Sequence, residues 1–244
     1  MESQTNQVVQ LVSAIRCALE ERTGLEVVQQ ILDRLSVLDL EARSVHSLTP
    51  QIPVQFDKGL TRAIDHIPAS LEFIAQTLDT ARPYLYWQPD GGQFYEEGSD
   101  IGRSYREGNM ICTLVGPVNS CFYSNDLFIC LFFLQPQTLY RDHMHEASEM
   151  YFNLTGPCGF RLGDADWADY PGDSLVWNRP WAAHATRVYQ APFLSVVSWV
   201  GNINGLCRVV PRDDWLALEN KLTPTEPLES RIETGMNGHA LPQV

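Results

Sequence analysis

His143-Met144-His145-Glu146-Ala147-Ser148-Glu149-Met150-Tyr151 is the stretch on which the reading of this chain turns. Side chains on a β-strand alternate between its faces, so residues two apart leave the same side. His143 and His145 stand in that relation, and Glu149 and Tyr151 repeat it one short turn later. Two neighbouring strands would therefore aim an imidazole pair, a carboxylate and a phenol into one interior, with His184 arriving from a later strand. Three imidazoles and a carboxylate are the ligand set of a mononuclear first-row metal site. A His-x-His pair alone arises often by chance. The added carboxylate, same-face tyrosine and distant histidine opening a β-like run rarely do. His46, His66 and His239 fall in helical, loop or tail sequence and are read as structural or solvated.

Outward from this stretch the pattern is β. Short runs at 111–115, 127–134, 140–145, 149–155, 158–163, 173–178, 184–189 and 193–200 are separated by Gly, Pro, Asn and Asp, the signature of a sandwich or small barrel. The chain before them is helical. Val8, Leu11, Val12, Ile15 and Leu19 keep helical spacing, as do Val27, Val28, Ile31, Leu32 and Leu35. Leu60, Ala63, Ile64 and Ile67 form a third stripe, which Pro68 must kink or restart before Leu71, Ile74, Ala75 and Leu78. Residues 83–110 mix aromatics such as Phe94 and Tyr95 with glycines, fitting either a loop over a barrel mouth or a packed connector. Pro211 opens a final helix, and the polar tail from Thr223 has little to bury. The expected organisation is a helical region, 1–82, packed on a β-barrel, 83–210, followed by a helix and tail, 211–244.

Composition narrows the class. An apolar fraction of 44% over 244 residues supplies a core, and no apolar run reaches the roughly 18 residues of a membrane span. The net charge of −13 excludes the basic patch that nucleic acid demands, and no Lys/Arg cluster suits an anionic membrane. Cys17, Cys112, Cys121, Cys130, Cys158 and Cys207 are scattered without a C-x-x-C pair, which favours reduced thiols in a cytoplasm. No basic leader with an apolar core precedes the first helix.

His143-x-His145-x3-Glu149-x6-Gly156 resembles the first cupin motif, and Pro171-Gly172-Asp173 through Pro180-Trp181-Ala182-Ala183-His184 resembles the second. Three departures stand out. Gln137 occupies the place of a usual glycine, Val188 that of a frequent asparagine, and the Gly172-to-His184 interval is slightly long. Within cupins, His-x-His-x3-Glu-x-Tyr followed by a histidine some thirty residues on is similar to the cupin-type dimethylsulfoniopropionate (DMSP) lyases. Tyr140, three residues before His143, and Trp199, fifteen after His184, also match. The resemblance covers roughly residues 120–205 and the plan of helices before the barrel.

The resemblance implies a mainly β protein with α, a jelly-roll cupin barrel preceded by helices. It implies one divalent transition metal per subunit (iron, manganese, nickel or zinc) on His143, His145, Glu149 and His184. It also implies a zwitterionic sulfonium carboxylate as substrate, and a homodimer is compatible with it. The implied reaction is a β-elimination giving dimethyl sulfide and acrylate. A metal would stabilise charge building on the substrate carboxylate. A phenol of ordinary pKa about 10 becomes a strong base once a nearby cation favours its phenolate. Tyr151, on the ligand face, is the first choice as base. Tyr140 has the opposite parity to His143 and needs a bend to point inward, which suits substrate orientation or the base as second choice. A sulfonium lacks hydrogen-bond donors and prefers aromatic faces, with Trp199 the first candidate and Trp177, Trp181 or Tyr123 as others. Parity puts Arg187 opposite His184, outside the site. Competing functions are another cupin metalloenzyme (dioxygenase, isomerase or hydrolase of a small acid) and a non-catalytic binding cupin.

Overall fold

The computed structural model describes residues 2–222. Six helices and eleven strands follow in order: α1 (Glu2–Glu20), α2 (Glu26–Ser36), α3 (Val54–Asp65), α4 (Glu72–Ala81), α5 (Arg103–Gly108), β1 (Asn109–Gly116), β2 (Ser120–Tyr123), β3 (Leu127–Leu134), β4 (Leu139–Met144), β5 (Ser148–Asn153), β6 (Cys158–Leu162), β7 (Ala168–Tyr170), β8 (Ser174–Asn178), β9 (His184–Arg187), β10 (Phe193–Val200), β11 (Arg208–Val209) and α6 (Trp215–Leu222). Pro68 restarts the helical stripe, since α3 and α4 are separate helices. Helix α6 begins at Trp215, later than Pro211 predicts. The tail from Thr223 and His239 lie outside the described residues.

The strands build two sheets, ordered β2-β1-β3-β10-β5-β8 and β11-β4-β9-β6-β7. From β3 to β10 the chain alternates between them except at the β6–β7 hairpin, which is jelly-roll order, so the cupin expectation holds. Among the described residues no strand pairing joins the two sheets, so the barrel is two facing sheets rather than one closed ladder.

The six-stranded sheet is covered on both faces. Leu127, Ile129, Leu131 and Phe133 of β3 join a core with α1–α4, while Phe128, Cys130, Phe132 and Leu134 face the second sheet. Burial on both sides explains why β3 reads as an unbroken apolar run and β10 is broken only by Ser195 and Ser198, both buried.

Two local irregularities matter for the site. Tyr140 pairs with Thr186 but His143 with His184, so β4 carries one residue more than β9 between these positions. That bulge reverses the parity of Tyr140 and turns it to the same interior as His143. Arg141 and Asp142, the residues inside it, point to the outer face, to Glu219 and Arg161. Gln137 has φ +63°, the left-handed region that glycine enters without strain, which accounts for the glycine expected there.

Candidate metal centre

Strand β4 delivers His143, and His145 follows just beyond its end; His184 opens β9 opposite His143. All three are buried. Their Nδ1 atoms lie 2.8, 3.0 and 2.9 Å from the carbonyls of Arg141, Ala147 and Ala182, for His143, His145 and His184 in turn. A carbonyl only accepts, so each Nδ1 carries the proton and each Nε2 keeps a lone pair. The ligand atoms of the three rings lie within 4.8 Å of one another.

Glu149 flanks this cluster, its Oε2 3.0 Å from His184 Nε2 and 3.4 Å from His145 Nε2. Its partners come from neighbouring strands in the same row, because Glu149 pairs with Trp199 of β10 and Asn178 of β8. Trp199 Nε1 donates to Oε1 at 2.7 Å and Asn178 Nδ2 to Oε2 at 2.7 Å. Burial pushes His143 well below the ordinary imidazole value and keeps it neutral.

Lone pairs therefore meet a carboxylate with no hydrogen between them. The Nε2 atoms of His145 and His184 are buried without a hydrogen-bond partner, a costly arrangement unless a cation sits there. Carbonyl-anchored imidazoles are also the usual outer support of metal-binding histidines. The residues fit a metal.

A cavity of about 30 Å³ adjoins Glu149 and is lined by Tyr140, Tyr151 and Trp199 among others. Tyr151 shares the face of Glu149, as strand spacing predicts, with its ring against Phe132 and Phe160. Tyr140 stacks on His143 at 4.1 Å and on Tyr105 at 3.8 Å, and Tyr95 donates a 2.8 Å hydrogen bond to its hydroxyl. Desolvation raises the phenols of Tyr95, Tyr105, Tyr140 and Tyr151 well above 10. Trp199 lies 4.5 Å from the His145 ring and meets Phe94 edge-on. The other aromatic candidates are elsewhere. Tyr123 and Trp181 are exposed, and Trp177 bonds Ser148 on the helix-covered side. Arg187 pairs with Asp169, away from the cluster. His46 bonds the Ser120 carbonyl and His66 that of Arg62.

Sequence reasoning had no firm hold on Asp90, Phe94, Tyr95 and Tyr105. They come from the 83–110 segment, whose aromatics hinted at a wall without saying which reach the interior. A second chamber of about 220 Å³ shares Phe94, Ile111 and Phe128 with the inner one.

Fold and site together define a cupin jelly roll with a buried three-histidine, one-glutamate cluster. Residues 26–195 match the DMSP lyase family, and the chain belongs to it. It is 31% identical over 108 residues to the DMSP lyase DddQ of Ruegeria pomeroyi, covering 44% of this chain and 53% of that protein. The match thus spans about half the length of the curated relative. Among solved structures, one described with the DMSP lyases RdDddP and RnDddQII superposes with a TM-score of 0.64 at 19% identity, over 85% of this chain and 100% of that one. The DMSP lyase DddQ of Ruegeria pomeroyi gives 0.56 at 21%, over 81% and 96%. At such identities these structures establish the shared fold.

Proposed function

We propose that the protein cleaves DMSP to dimethyl sulfide and acrylate, with His143, His145, Glu149 and His184 holding one divalent transition metal. Iron, manganese, nickel and zinc all suit this donor set. When bound, the metal supplies Lewis acidity that stabilises charge developing on the substrate carboxylate. The observation that carries the reading is the meeting of three buried, carbonyl-anchored histidines with Glu149 at the edge of a cavity walled by Tyr140 and Tyr151. Family membership supports the substrate.

Tyr151 acts as base in this reading. Its phenolate takes the proton from the carbon next to the carboxylate, the freed pair forms the carbon–carbon double bond, and the carbon–sulfur bond breaks with its pair leaving on neutral dimethyl sulfide. Burial alone disfavours that phenolate, so Tyr151 depends on positive charge close by. Tyr140, clamped by Tyr95, Tyr105 and His143, orients the substrate and is the second candidate for the base. Trp199 offers an aromatic face while its indole N–H fixes Glu149. The inner chamber has room for about one or two waters. Substrate entry therefore requires the side chains shared with the outer chamber, Phe94, Ile111 or Phe128, to move aside.

Five of the six cysteines are buried and all six are unpaired, in keeping with a reducing cytoplasm. Among the described residues no helix is long and apolar enough to cross a membrane.

The test is headspace dimethyl sulfide from purified, metal-loaded protein given DMSP, beside His184→Ala. Release that vanishes together with bound metal in the variant supports the reading. No release from metal-replete protein with any of the four metals sinks it.

A further inference from the structure

The site cavity contains a second carboxylate. Asp90 is 5% exposed and lines the same chamber as Glu149, Tyr140, Tyr151 and Trp199. Its Oδ2 accepts the Tyr105 hydroxyl at 2.7 Å and its Oδ1 the backbone N–H of Gln93 at 3.1 Å. Asn109 Oδ1 accepts the Asp90 backbone N–H at 3.0 Å and locks the turn. Among the described residues no Lys or Arg forms an ion pair with it; Arg106, beside the same turn, donates to the Gly91 carbonyl instead. Desolvation accordingly lifts its carboxyl above the usual range, only partly countered by Tyr105 and the turn amides.

Burying a carboxylate without a counter-charge is expensive. Elsewhere in this protein such a charge is paired, as Asp142 is, fully buried beside Arg161. Asp90 stands apart because its direct partners are the Tyr105 hydroxyl and a backbone amide, in a chamber lined mainly by aromatic and apolar side chains, among them Phe94 and Trp199. One carboxylate among aromatic rings is the chemistry that holds an alkylated onium cation. The rings attract the charge through their faces, and the carboxylate completes neutralisation without needing a hydrogen-bond donor from the ligand.

We propose that Asp90 is the counter-charge for the cationic end of the substrate, and that the site selects a small carboxylate bearing a permanently charged sulfonium or quaternary ammonium over its neutral isostere. This rests on the lyase reading for the identity of the cation, while charge selection by Asp90 can be tested without turnover. The anionic end of such a ligand lies toward the histidines, and its onium methyls lie among Asp90, Tyr105 and Phe94. Asp90 thereby binds substrate without taking part in proton transfer.

Two inert ligands of matched shape separate this role from a purely structural one: 3-(trimethylammonio)propanoate, which carries the cation, and 4,4-dimethylpentanoate, which does not. Calorimetric titration of the metal-loaded wild type should show the cationic ligand bound about tenfold or more tightly than the neutral one. Asp90→Asn should abolish most of that preference, leave the neutral ligand within about twofold, and Asp90→Glu should restore part of it. Tyr105→Phe, which keeps the charge, should retain the preference. Equal affinities in the wild type overturn the assignment without any variant. So does a loss in Asp90→Asn that is the same for both ligands, which marks a structural cap on the 90–93 turn. Dimethyl sulfide release reports separately on the lyase reading. Cation preference without release leaves Asp90 assigned and removes DMSP, whereas release without preference does the reverse.

Discussion

The two faces of the six-stranded sheet are built from the same strands to opposite ends. One face, with Leu131, Phe133, Met150, Phe152 and Val196, packs against α1–α4 and is apolar throughout its core. The other alternates with it residue by residue and presents Glu149, Tyr151, Trp199 and Cys130 to the second sheet. On the first face the side chains gain free energy by leaving water. On the second, buried phenols and carboxylates are costly to desolvate and are tolerated because they converge on one place. Stability and chemistry are thus separated by a single residue step along each strand. Substitutions one position apart should therefore fail in different assays.

The largest expected effect lies on the interior face. Tyr151→Phe should lower kcat on DMSP by about 10²–10⁴-fold, with metal content and melting temperature close to wild type. A comparable fall in Tyr140→Phe with activity retained in Tyr151→Phe would exchange their roles. Its neighbour Phe152 is buried in the helix-facing core, with the Arg22 guanidinium 5.2 Å from its ring. Phe152→Ala should cost about 3–5 kcal/mol in denaturant titration, while the protein that remains folded binds metal normally. Loss of metal from that folded fraction would break the proposed division between faces.

A smaller effect tests the support of the centre. Asn178→Ala removes one donor to Glu149 and should weaken metal affinity about 10–100-fold, measured by competition with a chelator, with little change in unfolding midpoint. The smallest expected effect is on the outer face of the second sheet, where Asp214 pairs with Arg161. That hydrogen bond holds the Asp214 carboxyl below its ordinary value of 3.8. A depressed folded pKa contributes stability above the unfolded value, and the contribution disappears as pH falls through the folded one. Asp214 is 45% exposed, so solvent screening limits Asp214→Asn to about 1 kcal/mol or less at neutral pH. The difference from wild type in urea midpoint should shrink as pH falls below 3.8.

Strand parity made much of this legible in the sequence. It put Glu149 beside Tyr151 and Arg187 away from His184, because alternation is a local property that needs no knowledge of the rest of the chain. The helical stripes at Val27–Leu35 and Leu60–Ile64 were readable for the same reason. Parity failed at Tyr140, where a bulge adds one residue to β4. A bulge is defined by the partner strand, and the partner is not written in the local pattern. The short strands β2, β7 and β11 escaped notice because two to four residues carry too little periodicity. Among the aromatic candidates, only packing separated Trp199, inside, from Trp177, whose ring sits on the helix-covered side.

By itself, then, the sequence determined which side chains share a face, His143 with His145 and Glu149 with Tyr151, and a β sandwich or small barrel, since residue chemistry and strand period are properties of short segments; the jelly-roll class came with the cupin resemblance. Only the tertiary structure decided that Tyr140 turns inward, that Asn178 and Trp199 grip Glu149 from flanking strands, and that Asp90, Tyr95 and Tyr105 join the site from a segment about fifty residues upstream. Those contacts exist because two sheets close over one interior, and loop closure brings together residues whose spacing in the chain carries no signal of their meeting.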